Sequence, residues 1–278
     1  MKNHTSFKIG GPARVMFFPE NPEDLTQLCD LLHKHGIQPL IMGNGTNLLA
    51  NDRPLDIAVV KTTGLRSIER IVEDEISAGA GALLSKLAVF AYECGLTGLE
   101  FAHGIPGTLG GAVIMNAGAY GGEIKDVVRK TTIYNAKTGK CSITGAEHGF
   151  SYRHSRLSDT GETVLSSMIR LEKAEREEIK AKMDELSIRR RESQPLDLPS
   201  AGSTFKRPRE GYAAALIEQA GLKGYTVGGA QVSEKHSGFI VNRGGASFSD
   251  VMAVIEHVRG TVLDRFGIEL EPEVRIIS

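Results

Sequence analysis

Residues Gly104 to Glu123 read GIPGTLGGAVIMNAGAYGGE, with glycine at 104, 107, 110, 111, 118, 121 and 122. Each glycine widens the unfolded ensemble that folding must narrow. A soluble chain therefore keeps such a stretch only where backbone must lie close against something. A flexible linker would be polar, whereas this segment carries Ile105, Leu109, Val113, Ile114 and Met115. It reads as a buried cradle for a large flat or phosphorylated ligand. The competing explanation is that the protein packs tightly on itself there.

The chain has 278 residues, enough for two domains with a core each. A net charge of −1 gives no electrostatic reason to bind bulk nucleic acid or an anionic membrane. No apolar run approaches the roughly 20 residues of a membrane span, and the polar opening MKNHTSFK is unlike a signal peptide. Cys29, Cys94 and Cys141 are odd in number, widely spaced and without a CxxC pair. Reduced thiols in a cytoplasmic protein are expected, with neither a disulfide framework nor a metal site.

Ala13 to Phe18 reads as a strand ended by Pro19. Asn21-Pro22-Glu23-Asp24 then opens a helix to about His35, with an N-cap, a proline at N1 and acids in the first turn. Gln38 to Met42 is a strand that runs into a second glycine loop, Gly43-Asn44-Gly45-Thr46-Asn47. The Gly-Lys-Ser/Thr ending of an NTPase phosphate loop is absent. Backbone N–H groups with Thr46 and Asn47 are still enough for a diphosphate, and a simple turn explains the loop equally well. Ile57 to Val60 and Ile76 to Ala80 are strands, and a helix follows to Glu93. The GxGxx-Leu84 stretch from Gly79 lacks the third glycine and the following acid of a dinucleotide fingerprint.

Val127 to Asn135 and Cys141 to Thr144 read as a hairpin, Thr163 to Leu171 as a strand, and Glu175 to Glu192 as a charged helix at a domain boundary. Its Arg189-Arg190-Arg191 run is either a solvated helix end or a substrate-phosphate contact. Helices at Tyr212 to Ala220 and Phe248 to Phe266 bracket a strand at Phe239 to Val241, and an apolar strand carrying Glu273 closes the chain.

Three side chains stand out chemically. Arg153 lies in SYRHS, beside aromatic Phe150 and Tyr152. Ser203 lies in AGSTF, where small neighbours leave its hydroxyl approachable but no G-x-S-x-G elbow marks a hydrolase. Glu273 sits between Pro272 and Val274, a setting in which a carboxylate is paired or has a raised pKa.

Taken together, GNGTNLL at 43–49, GLEFAHGIPGTLGGAVIMNAGAYGGE at 98–123, YRHS at 152–155, GSTFKRP at 202–208, KHSGFIVN at 235–242 and EPEVRII at 271–277 resemble the UDP-N-acetylenolpyruvoylglucosamine reductase family. The resemblance runs in order along essentially the whole chain. It implies an α+β fold. A two-part FAD-binding domain of the vanillyl-alcohol oxidase and p-cresol methylhydroxylase type spans 1–174, with lobes at about 1–60 and 61–174. A smaller α+β substrate domain spans 192–269. A final strand over 270–278, carrying Glu273, packs back toward the FAD domain.

The resemblance also implies non-covalent FAD and NADPH as co-substrate. They serve reduction of the enolpyruvyl ether of UDP-N-acetylglucosamine to UDP-N-acetylmuramate for peptidoglycan. Gly43, Asn44, Gly45, Thr46 and Asn47 would hold the diphosphate. Gly104, Ile105, Pro106, Gly107, Gly110, Gly111, Ala112, Asn116, Ala117, Gly118 and Ala119 would line the rest of the cofactor. Arg153, Ser203 and Glu273 become the catalytic set, and Tyr152, Lys206 and Arg207 contact substrate. No nucleic acid, membrane or obligate protein partner is expected.

Departures are visible too. The sequence starts almost at the first strand, so the N-terminal helix usual in relatives is either missing or lies before this sequence, and many relatives have asparagine where Arg207 stands. The short link from Arg153 to Ser203 matches the branch without an inserted tyrosine loop. An FAD-dependent alcohol oxidase or dehydrogenase is the alternative activity, with His103 as the histidine placed for a flavin link; a nucleotide-binding module without catalysis would leave Ser203 and Glu273 idle.

Overall fold

The computed structural model describes residues 1–278, which divide into two compact units. One comprises Val15–Asn44 and Ile57–Arg190; the other comprises Met1–Arg14, Gly45–Asp56 and Arg191–Ser278. This differs from the division expected from sequence. Residues 1–14 and 45–56 group with the C-terminal residues, and the long helix expected at the boundary belongs to the first unit up to Arg190.

The first unit is built on a five-stranded antiparallel sheet in the order 139–144, 128–135, 163–170, 75–79, 68–72. Successive strand residues face opposite ways, and here each face meets its own core. Ile133 and Val164 join a core with Leu87, Leu99, Leu109, Ile124 and Met183, while their neighbours Tyr134 and Leu165 join another with Leu25, Leu32 and Val60. Helix Pro22–Lys34 covers the second core; Asn21 caps it, its side chain accepting from the Asp24 N–H at 2.8 Å. Helix Leu84–Glu93 and helix Arg176–Ser193 supply the first core. In the latter helix, Ile179, Met183 and Leu186 form the buried stripe at helical spacing.

The second unit has a four-stranded antiparallel sheet in the order 200–203, 239–242, 230–232, 226–227. Helix Phe248–Phe266 begins at a capping box in which Ser247 and Asp250 bond each other's backbone N–H at 3.1 and 2.9 Å. It ends at Gly267, whose φ of 66° needs no side chain. Val251, Val254, Ile255, Val258 and Val262 are all buried on one face. Each contributes about 1.5–3 kcal/mol relative to exposure. Phe7, Ile9, Leu49, Leu270 and Val274 share that core, which is why the N-terminal residues belong to this unit. Arg275–Ile277 pairs in parallel with Leu48–Ala50, in register Arg275 to Leu48. Glu273 precedes this strand rather than lying in it. No helix is long and apolar enough to cross a membrane.

Candidate active site

The glycine-rich segment is not one bare loop. It holds a helix at Leu109–Ile114, then a hairpin pairing Gly118–Ala119 with Gly122–Glu123. Tyr120 and Gly121 form its turn with φ of 54° and 91°, the left-handed pair a two-residue hairpin favours. Much of its glycine content answers to the protein itself. A Cβ on Gly110 would lie 3.0 Å from that of Ala80, one on Gly118 2.7 Å from the Gly122 carbonyl, and one on Gly122 2.6 Å from the Phe101 ring. Tight packing therefore accounts for these three. Gly111 is different: it is exposed, and a Cβ there would meet nothing nearer than Thr108 Oγ1 at 3.8 Å. The protein's own packing therefore gives no reason for Gly111 to be bare.

Within the first unit, two contacts join this segment to Gly43 and Asn44. Asn44 Nδ2 donates to the Pro106 carbonyl at 2.9 Å, and a Cβ on Gly43 would fall 2.0 Å from Thr108 Oγ1. That hydroxyl is buried and has no hydrogen-bond partner in the protein. A buried hydroxyl left this way carries a desolvation cost unless something else accepts from it or donates to it. Thr108 was not among the residues marked in the sequence, though GTLGG places it in the segment.

Arg153 stands at the tip of a tight turn closed by reciprocal Ser151 and His154 backbone bonds of 3.0 and 3.3 Å. Its φ is 54°, an uncommon conformation for a residue with a Cβ. Arg153 Nη2 donates to the Gly118 carbonyl at 3.0 Å, so the guanidinium is docked on the glycine-rich segment. Asn116, also at positive φ (42°), is fully buried. Its Nδ2 donates to the Ser151 carbonyl at 2.9 Å and to Glu123 at 3.0 Å, while its Oδ1 accepts from the Lys125 N–H at 2.9 Å. The Asn116 side chain thus ties the segment to the turn of Arg153. Its side-chain amide is thus engaged within the protein. Ala112 likewise lies in the apolar core. Burial alone would raise the Glu123 carboxyl, but hydrogen bonds from Lys125 and Asn116, with the charges of Lys125 and Arg153, hold it below the usual range. Lys8, Asn116, Tyr120 and Arg153 are the non-glycine residues at positive φ, and the last three share this one corner. Strain of this kind concentrates at functional sites.

Beneath the turn, His148 is fully buried, stacked on Phe150 at 4.7 Å. Its ring nitrogens meet the Gly145 carbonyl at 3.1 Å and Thr131 Oγ1 at 2.9 Å. Burial pushes its pKa down, the Gly145 hydrogen bond opposing this and Arg156 adding to it.

In the second unit, Ser203 ends strand Ser200–Ser203 with an exposed side chain. The next residue, Thr204, accepts from the Glu273 N–H at 2.7 Å, and Phe205 bridges to Pro272. Asn47 Nδ2 donates to the Glu273 carbonyl at 3.0 Å, and the Asn47 carbonyl accepts from the Arg275 N–H at 2.9 Å. Ser203, Glu273 and Asn47 are therefore stitched together, although 226 residues separate Asn47 from Glu273. Glu273 is half-buried. Of the residues expected to touch substrate, Tyr152 is exposed, Lys206 pairs with Glu271, and Arg207 lies over the Tyr212 ring at 4.2 Å.

Residues 13–145 match the FAD binding domain family, and residues 194–277 match the C-terminal domain of UDP-N-acetylenolpyruvoylglucosamine reductase. Fold and matched domains together define a flavoprotein oxidoreductase of mixed α+β architecture. A UDP-N-acetylenolpyruvoylglucosamine reductase of Caldanaerobacter subterraneus subsp. tengcongensis is 53% identical over 100% of this chain and 92% of its own. One of Agathobacter rectalis is 48% identical over the same shares. The crystal structure of the Thermus caldophilus reductase superposes with a TM-score of 0.85 at 32% identity, covering 100% of this chain and 97% of that one. The chain belongs to the UDP-N-acetylenolpyruvoylglucosamine reductase family. Its residues fit the flavin nucleotide that the matched domain implies: the Thr108 hydroxyl has an unmet hydrogen bond and Gly111 leaves open space beside it.

Proposed function

We propose that the protein is a cytoplasmic UDP-N-acetylmuramate dehydrogenase. It reduces the enolpyruvyl ether of UDP-N-acetylglucosamine to the lactyl ether of UDP-N-acetylmuramate, a step of peptidoglycan precursor synthesis. Bound FAD supplies the chemistry of taking hydride from NADPH and giving it to the terminal carbon of the enol ether. The Gly43–Asn47 loop would hold its diphosphate. The segment from Gly104 to Ala119 would lie along the remainder, through backbone and through Thr108.

Negative charge then develops at the adjacent carbon and spreads into the substrate carboxylate. A guanidinium held in place by the Gly118 carbonyl needs no reorganisation to meet that charge, and such preorganised electrostatics are worth several kcal/mol. Arg153 has this role. Ser203 delivers the proton to the carbanionic carbon, a base strong enough to take one from an alcohol. Glu273 is assigned to the enolate oxygen, to which a carboxyl can donate a hydrogen bond only while it carries a proton. Lys206, Arg207 and Tyr152 are assigned to the UDP-sugar.

What supports the reading is the stitch through Thr204 and Asn47, which keeps Ser203, Glu273 and the Gly45–Asn47 part of the loop in one compact unit. Anaerobic titration of the purified protein tests it. NADPH should bleach the yellow flavin band, and the enolpyruvyl UDP-sugar should restore it stoichiometrically. A colourless protein, or bleached flavin restored by oxygen but never by that sugar, contradicts the assignment.

A further inference from the structure

The Arg189-Arg190-Arg191 run closes helix Arg176–Ser193, and the helix geometry separates its members. The buried stripe Ile179–Met183–Leu186 continues one turn further onto Arg190, which is half-buried, while Arg189 and Arg191 are exposed. Arg190 Nη1 donates to the Gly104 carbonyl. Its side chain lies so close across Gly104 that a Cβ there would sit 2.8 Å from Arg190 Cδ and Nε. The same guanidinium lies 5.7 Å from the centre of the Tyr120 ring, and that of Arg189 5.1 Å. Both are within cation–π range. One turn earlier, Ser187 Oγ meets His103 Nδ1 at 3.2 Å.

One helix end therefore holds both ends of the glycine-rich segment: His103 and Gly104 where it begins, Tyr120 where its hairpin turns. Tyr120 is kept at a left-handed φ, and its buried hydroxyl has no partner, so the aromatic face rather than the hydroxyl anchors it. The middle of the segment is held by Leu109, Ala112 and Val113 in the apolar core, whereas Gly104 at its start and Gly121 in its turn have no side chain with which to pack.

We propose that Arg190 is a positioning residue for the flavin: a clasp that acts through Gly104 and Tyr120 to keep the cradle in its receiving shape before FAD arrives. This rests on the reading of residues 104–122 as the flavin cradle. Preorganisation of this kind lowers the ordering cost of binding, so removing the clasp weakens FAD without unfolding the unit. It also gives Gly104 a specific reason to be glycine, because a side chain there would push the guanidinium off.

The test measures FAD binding to the deflavinated protein by flavin fluorescence, together with the melting temperature of the apo-protein. Wild type must bind FAD first; if it does not, the functional reading fails and not the clasp. Given binding, Arg190→Ala should raise the FAD Kd about ten-fold, the size expected of a charge-assisted hydrogen bond plus a cation–π contact. Arg190→Lys should recover part of this, since it can still reach the Gly104 carbonyl but cannot lie flat on the ring. Tyr120→Leu should weaken FAD similarly, and the double variant with Arg190→Ala should be less than multiplicative. Apo melting temperatures should stay close to wild type. Unchanged FAD affinity in Arg190→Ala, no recovery with lysine, or a matching collapse of the apo melting temperature overturns the proposal.

Discussion

The Glu273 N–H donates to the Thr204 carbonyl at 2.7 Å, which places the residue after Ser203 against Glu273 through main chain alone. The pairing is independent of either side chain. Substitutions at Ser203 and Glu273 should therefore alter chemistry and leave the local fold in place.

For Glu273→Gln, the backbone bonds to Thr204 and from Asn47 survive, and the amide is nearly isosteric. FAD content should match wild type, while reoxidation of the reduced enzyme by substrate slows about 10²–10³-fold, the scale of losing one group that stabilises developing charge. Absorbance spectra and stopped-flow traces check both. Loss of flavin from this variant would assign Glu273 a structural role instead.

Gly111→Ala separates protein packing from ligand approach. Its helical position and open surroundings mean alanine should stabilise the apo-protein by about 0.5–1 kcal/mol. The same methyl should weaken FAD binding if the flavin nucleotide passes over Gly111. Denaturant melts of the apo form, paired with FAD titrations, read the two effects; stabilisation with unchanged FAD affinity would remove Gly111 from the cradle.

His148 predicts an acid limb to stability. Its folded pKa lies below its ordinary value near 6.5, mainly through burial. The unfolded state therefore binds more protons in the window beneath that value, and stability falls as pH drops through it. His148→Gln should flatten this limb in melts between about pH 7 and 5. Part should remain, because burial also depresses His236. An unchanged slope would assign the limb elsewhere.

Thiol chemistry should discriminate between cysteines. Burial, reinforced by Asp30, pushes the Cys29 thiol up to about 11, whereas Cys141 is exposed on an edge strand. A maleimide at neutral pH should label Cys141 in the native protein and reach Cys29 only on unfolding, as peptide mass mapping would reveal.

Most long elements were legible locally. Asn21-Pro22 announced its helix, and Phe248–Phe266 matches its periodicity to the residue. Strands of two to four residues, such as Thr226–Val227 and Ala230–Val232, carry too little alternation to be seen before their partners are known. The grouping of Gly45–Asp56 with the C-terminal residues rests on pairing with Arg275–Ile277, a contact no local window contains. At the candidate site, residue types single out Arg153, Ser203 and Glu273, whereas bareness alone does not say what a glycine is bare for. Gly110, Gly118 and Gly122 are glycine because protein atoms occupy the space of a Cβ, and Gly104 because Arg190 crosses it. The bonds of the Asn116 side chain to Ser151, Glu123 and Lys125 likewise could not be read before the turn of Arg153 was placed.

Ser203→Ala, followed by stopped-flow absorbance under anaerobic conditions, tests the central assignment most directly. Reduction of the flavin by NADPH should proceed at the wild-type rate, while reoxidation by the enolpyruvyl UDP-sugar slows about 10²–10⁴-fold, the range of a lost general acid. Equal slowing of both half-reactions, or reoxidation as fast as wild type, would contradict Ser203 as the proton donor and with it the reaction proposed here.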